Sequence, residues 1–173
     1  LPNGLQLLQD DRFFKLGQDS VLLSAFAKPR RNAKLLDLGC GSGILSIAAL
    51  RLGAEHAFAC DIDEKCVDVA YENAALNGIG KDRYTVRWGN VLTDAALRQE
   101  MGAGYDIVVA NIVADVIMGL SPHVRPFLKP GGLFLCSGII DDRAAEVLEK
   151  LKADGWDVFE QRSSEGWFSY LCK

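Results

Sequence analysis

Asp37-Leu38-Gly39-Cys40-Gly41-Ser42-Gly43 is the stretch of this chain whose residue types and spacing are best suited to chemistry. Two apolar residues, Leu35 and Leu36, precede it, and a helix-patterned run opens at Ile44. A strand, a glycine-rich turn and a helix start together let main-chain N–H groups approach a ligand closely. Further on, the apolar run Ala57-Phe58-Ala59-Cys60 ends in Asp61. An acid at the end of a second strand can accept both hydroxyls of a ribose. Glycine turn and ribose acid together read as a nucleoside-cofactor site.

The acid at the start of the turn narrows the nucleoside. A dinucleotide fingerprint runs G-x-G-x-x-G and leaves the helix start free for a pyrophosphate. Here the order is D-x-G-x-G-x-G. Asp37 directs a negative charge toward the pocket, which repels a diphosphate and suits a cationic group such as an amino-acid amine. S-adenosylmethionine carries such an amine, a sulfonium and a ribose, and is the cofactor expected.

The elements that must position these residues alternate from Leu35 onward. Strands are predicted at residues 35–38, 57–61, 84–88, 105–111 and 133–137, with helices at 43–52, 64–77, 95–101, 115–128 and 142–154 between or after them. Gly78 and Gly155 are helix stops, and 105–111 is a continuous apolar run of the buried parallel kind. Residues 156–161 and 167–171, separated by a polar turn, read as a closing hairpin. The expected fold is α/β: a Rossmann-like, doubly wound, seven-stranded, mostly parallel sheet with one antiparallel strand. Ligands of such sheets bind outside the carboxyl ends of the strands, and Asp37, Asp61, Asn90, Asn111 and Ser137 all fall near predicted carboxyl ends. The first 33 residues lack the alternation. Residues 1–12 show no period, and 18–27 read as a helix with Val21, Leu22, Ala25 and Phe26 on its apolar side. The domain expectation is thus an N-terminal segment, 1–33, that covers the cofactor or links to a further domain, and a cofactor-binding domain, 34–173.

Composition bounds the rest. The 173 residues, 49% apolar and 24% charged, suffice for one domain with its own core. The N-terminus lacks a signal pattern and no apolar run is long enough for a bilayer, so no membrane is expected and the cytoplasm is the expected location. A net charge of −4, with no basic block beyond Lys28, Arg30 and Arg31, suits a basic protein partner better than a nucleic-acid backbone. Five cysteines without a C-x-x-C pair read as reduced thiols, with Cys60, Cys136 and Cys172 serving as small hydrophobes and Cys40 placed to touch cofactor. Two scattered histidines make no metal site.

Leu36 to Gly43, with Cys60-Asp61-Ile62-Asp63, resembles the first two motifs of the class I S-adenosylmethionine-dependent methyltransferases. Within that superfamily, Glu72-Asn73-Ala74-Ala75-Leu76-Asn77-Gly78, Val109-Ala110-Asn111-Ile112-Val113-Ala114, and Lys129-Pro130-Gly131-Gly132 through Ser137-Gly138-Ile139-Ile140 are similar to the ribosomal protein L11 methyltransferase family. That family carries a separate N-terminal recognition domain and a Phe-Gly-Thr-Gly-Thr-His stretch. In its place this chain has Phe14-Lys15-Leu16-Gly17-Gln18-Asp19-Ser20-Val21-Leu22-Leu23, which looks more like the tRNA adenine-N6 methyltransferases. Those enzymes in turn have Asn-Pro-Pro-Tyr where Asn111-Ile112-Val113-Ala114 stands.

The resemblance implies roles. Asp37, Gly39, Cys40, Gly41 and Gly43 would cradle the methionine portion, Asp61 would hold the ribose and Ile62 would pack on the adenine. Asn90 would meet the adenine amino group where the superfamily usually has an acid, and Asn111 would touch cofactor and, as the catalytic residue, place the substrate amine. The expected product is S-adenosylhomocysteine, and the expected partner is a ribosomal protein. An RNA base methyltransferase, or an inactive cofactor-binding module, are the alternatives. Asp63 either caps the following helix or touches cofactor, and Asp19 and Ser20 either cap the Val21 helix or serve the site. Trp88 and Phe127 are expected in the core, and Trp156 and Trp167 in hairpin packing.

Overall fold

The computed structural model describes Gln6 and residues 31–173. The helix expected at 18–27, with Asp19 and Ser20, and the expected role of the 1–33 segment lie outside the described residues. From residue 34 the chain runs β1 (Lys34–Leu38), α1 (Ile44–Arg51), β2 (His56–Asp61), α2 (Lys65–Leu76), β3 (Tyr84–Trp88), α3 (Ala95–Met101), β4 (Tyr105–Asn111), α4 (Ala114–Leu120), β5 (Leu128–Ile140), α5 (Asp141–Ala153), β6 (Val158–Ser164) and β7 (Trp167–Cys172).

The seven strands form one sheet in the order β3-β2-β1-β4-β5-β7-β6. All pairings are parallel except those of β7, which is antiparallel to both β5 and β6. The chain winds outward from β1 to β3 on one side and resumes at β4 on the other. The carboxyl ends of β1 and β4 therefore flank the switch point where ligands of such sheets bind. Alternate residues separate two cores. Leu36, Leu38, Val108, Phe134 and Cys136 pack under α3, α4 and α5, whereas Leu35, Ala57, Ala59, Val86 and Val109 pack under α1 and α2. Ile44 to Leu50 of α1 are all buried.

Four sequence expectations are corrected. The helix expected at 115–128 ends at Leu120 and gives way to single 3₁₀ turns at Ser121–His123 and Arg125–Phe127. Pro122 and Pro126 lack the N–H that a continuing α-helix needs. The strand expected at 133–137 runs from Leu128 to Ile140 and contains the Lys129-Pro130-Gly131-Gly132 turn as an irregularity in its ladder with β4. Trp88, expected in the core, is 59% exposed. It shares the inward parity of Tyr84 and Val86 but is the last residue of an edge strand. Trp156, expected in hairpin packing, precedes β6 and is buried, its ring 5.2 Å from that of Phe134 and its Nε1–H donating to the Ser121 carbonyl. Phe127 is core, as expected. The hairpin joins β6 to β7 through Glu165 (φ 52°) and Gly166 (φ 82°), the two left-handed residues of a tight hairpin turn.

Candidate functional site

The turn after β1 is tied to β2 by its own main chain. Gly39 and Cys40 both donate their N–H to the carbonyl of Cys60, and Gly43 donates to Cys40. Gly39, Gly41 and Gly43 all have left-handed φ values, 76°, 50° and 79°. Their surroundings differ. A β-carbon on Gly39 would lie 2.5 Å from Cγ2 of Ile112, and one on Gly43 would lie 2.7 Å from the Tyr84 hydroxyl and 3.0 Å from Cβ of Ala70. One on Gly41 would meet nothing within 4 Å among the described residues. The outer glycines are therefore demanded by packing, and the middle one presents bare backbone to open space. Cys40 is buried in the core cluster beneath the turn, so its main chain rather than its thiol shapes the site. Replacing Gly41 by alanine is expected to cost only about 1–2 kcal/mol of stability for the left-handed φ while removing most cofactor affinity. Thermal melts beside calorimetric titration separate the two.

Asp37 lies wholly buried under the turn. Its Oδ2 accepts the hydroxyl (2.7 Å) and the N–H (3.2 Å) of Ser46 on α1. Its Oδ1 has no hydrogen-bond partner among the described residues. Burial pushes its pKa up to about 7, against the partial opposing effect of Ser46. Ser46 went unnoticed in the sequence, although it is the one polar residue in the run Ile44 to Leu50.

Asp61 ends β2. Its Oδ2 accepts the N–H of Gly41 at 2.8 Å, and its Oδ1 accepts that of Asp63 at 3.0 Å. The Cys66 thiol also bonds this carboxylate. The Asp63 carboxylate accepts the Lys65 N–H at the start of α2. Burial, aided by Asp61 and Asp63, pushes the Cys66 thiol up to about 12, so it stays protonated. Beside Asp61, Ile62 is 73% exposed, and the indole N–H of Trp88 donates to its carbonyl at 3.1 Å. Ile62 and Trp88 thus form an exposed apolar shelf beside Asp61.

Asn90 forms a local turn after β3, its side-chain oxygen accepting the Leu92 N–H at 2.9 Å. An amide oxygen has two lone pairs, so one accepted bond leaves it able to meet an amino group as well. Asn111 ends β4, in register with Ser137 of β5. Ile112 donates its N–H to the Ser137 carbonyl and sets its side chain against Gly39. Gly138 (φ 82°) completes the arrangement: a β-carbon there would come within 2.8 Å of the Asn111 side-chain oxygen and of the Ile112 carbonyl. The end of β4 is therefore packed against both the glycine turn and β5. Ser137 itself is buried. Among the described residues no group of His, Cys, Asp and Glu is placed to hold a metal, and no helix is long and apolar enough to cross a membrane.

S-adenosylmethionine fits this crevice. Among the described residues, the open backbone at Gly41 and the exposed Ile62 and Trp88 side chains leave room beside the turn for such a ligand, and the Asp37 carboxylate lies buried beneath it. A doubly wound sheet carrying this turn at its switch point is the fold of the class I S-adenosylmethionine-dependent methyltransferases. Comparison with known proteins goes further. The family described as ribosomal protein L11 methyltransferase (PrmA) matches residues 21–173, and the chain belongs to it.

A protein of that name from Lachnoclostridium phytofermentans is 42% identical over 155 residues, covering 82% of this chain and 46% of its own. Another from Caldanaerobacter subterraneus subsp. tengcongensis is 40% identical over 151 residues, covering 87% of this chain and 45% of its own. The chain thus spans less than half the length of these curated relatives. The crystal structure of ribosomal protein L11 methylase from Lactobacillus delbrueckii subsp. bulgaricus superposes with a TM-score of 0.82 at 26% identity, over 95% of this chain and 82% of that one.

Proposed function

We propose that this chain transfers methyl groups from S-adenosylmethionine to amine nitrogens of a ribosomal protein similar to L11, in the cytoplasm. The observation that carries this reading is the packing of the Asn111-Ile112 segment against Gly39, which brings the end of β4 to the cofactor turn in a chain of this family.

S-adenosylmethionine, when bound, supplies an electrophilic methyl group on a sulfonium whose thioether leaves without acid assistance. The residues of this chain bind, orient and exclude water. Gly39, Gly41, Gly43 and the Cys40 main chain hold the methionine portion, with Asp37 facing its amine. Asp61 takes the ribose hydroxyls, Ile62 with Trp88 takes the adenine face, and Asn90 meets the adenine edge. Asn111 lies at the cofactor edge and accepts N–H bonds from the substrate amine, which aims its lone pair. A lysine amine has a pKa of about 10.4 in water. Loss of solvent on entering a closed pocket favours its neutral, nucleophilic form.

Asn111→Ala is expected to lower kcat about 100-fold or more, the usual cost of a misplaced reactant, with cofactor affinity changed less than tenfold. Methyl-labelled cofactor with ribosomal extract, followed by protease or ribonuclease digestion, tests both substrate and residue. Label removed by protease and lost in the variant supports the reading. Label removed by ribonuclease makes the acceptor RNA, and full activity of Asn111→Ala ends the assignment of that residue.

A further inference from the structure

The Glu72-to-Gly78 segment plays no part in the site described so far, yet its two asparagines are buried and joined to it. Asn77 follows the last residue of α2. Its side-chain Oδ1 accepts the N–H of Gln6 at 3.0 Å, and its Nδ2 donates to the carbonyl of Gln6 and to that of Asn73, each at 2.7 Å. One side-chain amide thus engages both main-chain groups of a single residue 71 positions away, as a neighbouring strand would. The grip reads backbone and is indifferent to the side chain at position 6.

One helical turn earlier, Asn73 is fully buried and its Nδ2 donates to the carbonyl of Ser42 at 3.0 Å. Ser42 lies between Gly41 and Gly43. Ala70, a turn earlier again, sits where a β-carbon on Gly43 would approach it to 3.0 Å. The same helix face therefore grips the glycine turn at one end and the backbone of Gln6 at the other. Orienting the Ser42 carbonyl also orients the Gly43 N–H across the same planar peptide.

We infer that Asn77 is a positioning residue for the cofactor site: it anchors the main chain at Gln6 to α2, and Asn73 passes that anchoring to the turn. The inference rests on the proposed cofactor reading of that turn. Coupling of this kind is reciprocal, so anchoring at Gln6 tightens cofactor binding and cofactor binding tightens the anchor.

The experiment compares Gln6→Ala, Gln6→Pro, Asn77→Ala and the Gln6→Pro/Asn77→Ala double variant in the full chain. Gln6→Ala keeps both main-chain groups and is expected to match the parent. Gln6→Pro deletes the donor and Asn77→Ala deletes the receiving amide. Each is expected to raise the dissociation constant for S-adenosylhomocysteine and the cofactor KM five- to tenfold with kcat unchanged. The double variant should be no worse than either alone, the mark of one shared interaction. In ligand-free protein, Gln6→Pro and Asn77→Ala should each speed amide exchange at Gly41 and Gly43 several-fold.

Additive effects, or a lowered Tm for Asn77→Ala with unchanged cofactor affinity and exchange, would reduce Asn77 to a helix-end residue and overturn the inference. Exchange coupling in a parent chain that binds no S-adenosylhomocysteine would keep the structural tie and remove the cofactor reading. Because Gln6→Pro leaves the buried amides of α2 in place, it reports on the coupling even if Asn77→Ala fails to fold.

Discussion

Asp37→Asn is expected to stabilise the ligand-free protein at neutral pH while weakening cofactor binding about 10- to 100-fold. Both effects come from one buried carboxylate. Asp37 has no solvent, one hydroxyl and one N–H from Ser46, and an oxygen without a partner among the described residues. Burial lifts its pKa from 3.8 to about 7. Between those values the folded chain holds a proton that the unfolded chain has released. Unfolding free energy therefore falls as pH rises through this window, and the penalty is complete above about pH 7. Three units at about 1.4 kcal/mol each set its upper bound near 4 kcal/mol.

Asparagine removes the charge and with it the pH dependence. The same charge is what an amine cation would use, through a charge-assisted hydrogen bond worth about 1.5–3 kcal/mol. Binding should then drive Asp37 to ionise. Parent affinity should fall as pH drops below about 7, by up to tenfold per unit, and calorimetry at pH 6 in buffers of different ionisation enthalpy should show proton release. Asp37→Asn should show neither. A variant that binds cofactor as tightly as the parent, with the same pH profile, would remove Asp37 from the amine site.

Gly138→Ala is expected to lose about 2–5 kcal/mol of stability and to lower activity in whatever protein remains folded. A non-glycine residue in the left-handed region costs about 1–2 kcal/mol, and forcing a methyl into packed backbone costs about 1–3 kcal/mol more. The new β-carbon would sit 2.8 Å from the Asn111 side-chain oxygen and 2.8 Å from the Ile112 carbonyl, with the Ile112 N–H at 3.0 Å. Two of these are backbone atoms of the strand end, which cannot swing aside as a flexible side chain would. Relief requires β4 and β5 to part, which moves Asn111 and draws Ile112 off Gly39. Tm should fall by about 10 °C, on the scale of a chain this size. The kcat of folded protein should fall with it, which separates this change from an ordinary destabilising one. An unchanged kcat per folded molecule would mean that the Asn111 position does not govern the reaction.

Much of this architecture is legible along the chain, because the information is local. Strand and helix periods, the D-x-G-x-G-x-G order and the acid ending the second strand all depend on neighbours within a few residues. They determined by themselves the doubly wound sheet, the strands β3 and β4 to the residue, and the cofactor class. The failures were equally physical. Alternation marks Trp88 as inward, but inwardness needs a covering element and the last residue of an edge strand has none. Apolar spacing continues through Pro122 and Pro126, but the α-helix does not.

Only the tertiary structure decided which groups face each other across long separations. Ser46 under Asp37, Asn73 on Ser42, Asn77 on Gln6 and Gly138 against Asn111 each join residues that no period relates. Such pairs are set by how helices seat on a twisted sheet. The sequence alone pointed to a nucleoside cofactor with a cationic group at this turn, whereas the fold decided which buried polar groups hold the turn in shape, because hydrogen-bond partners are chosen in space rather than along the chain.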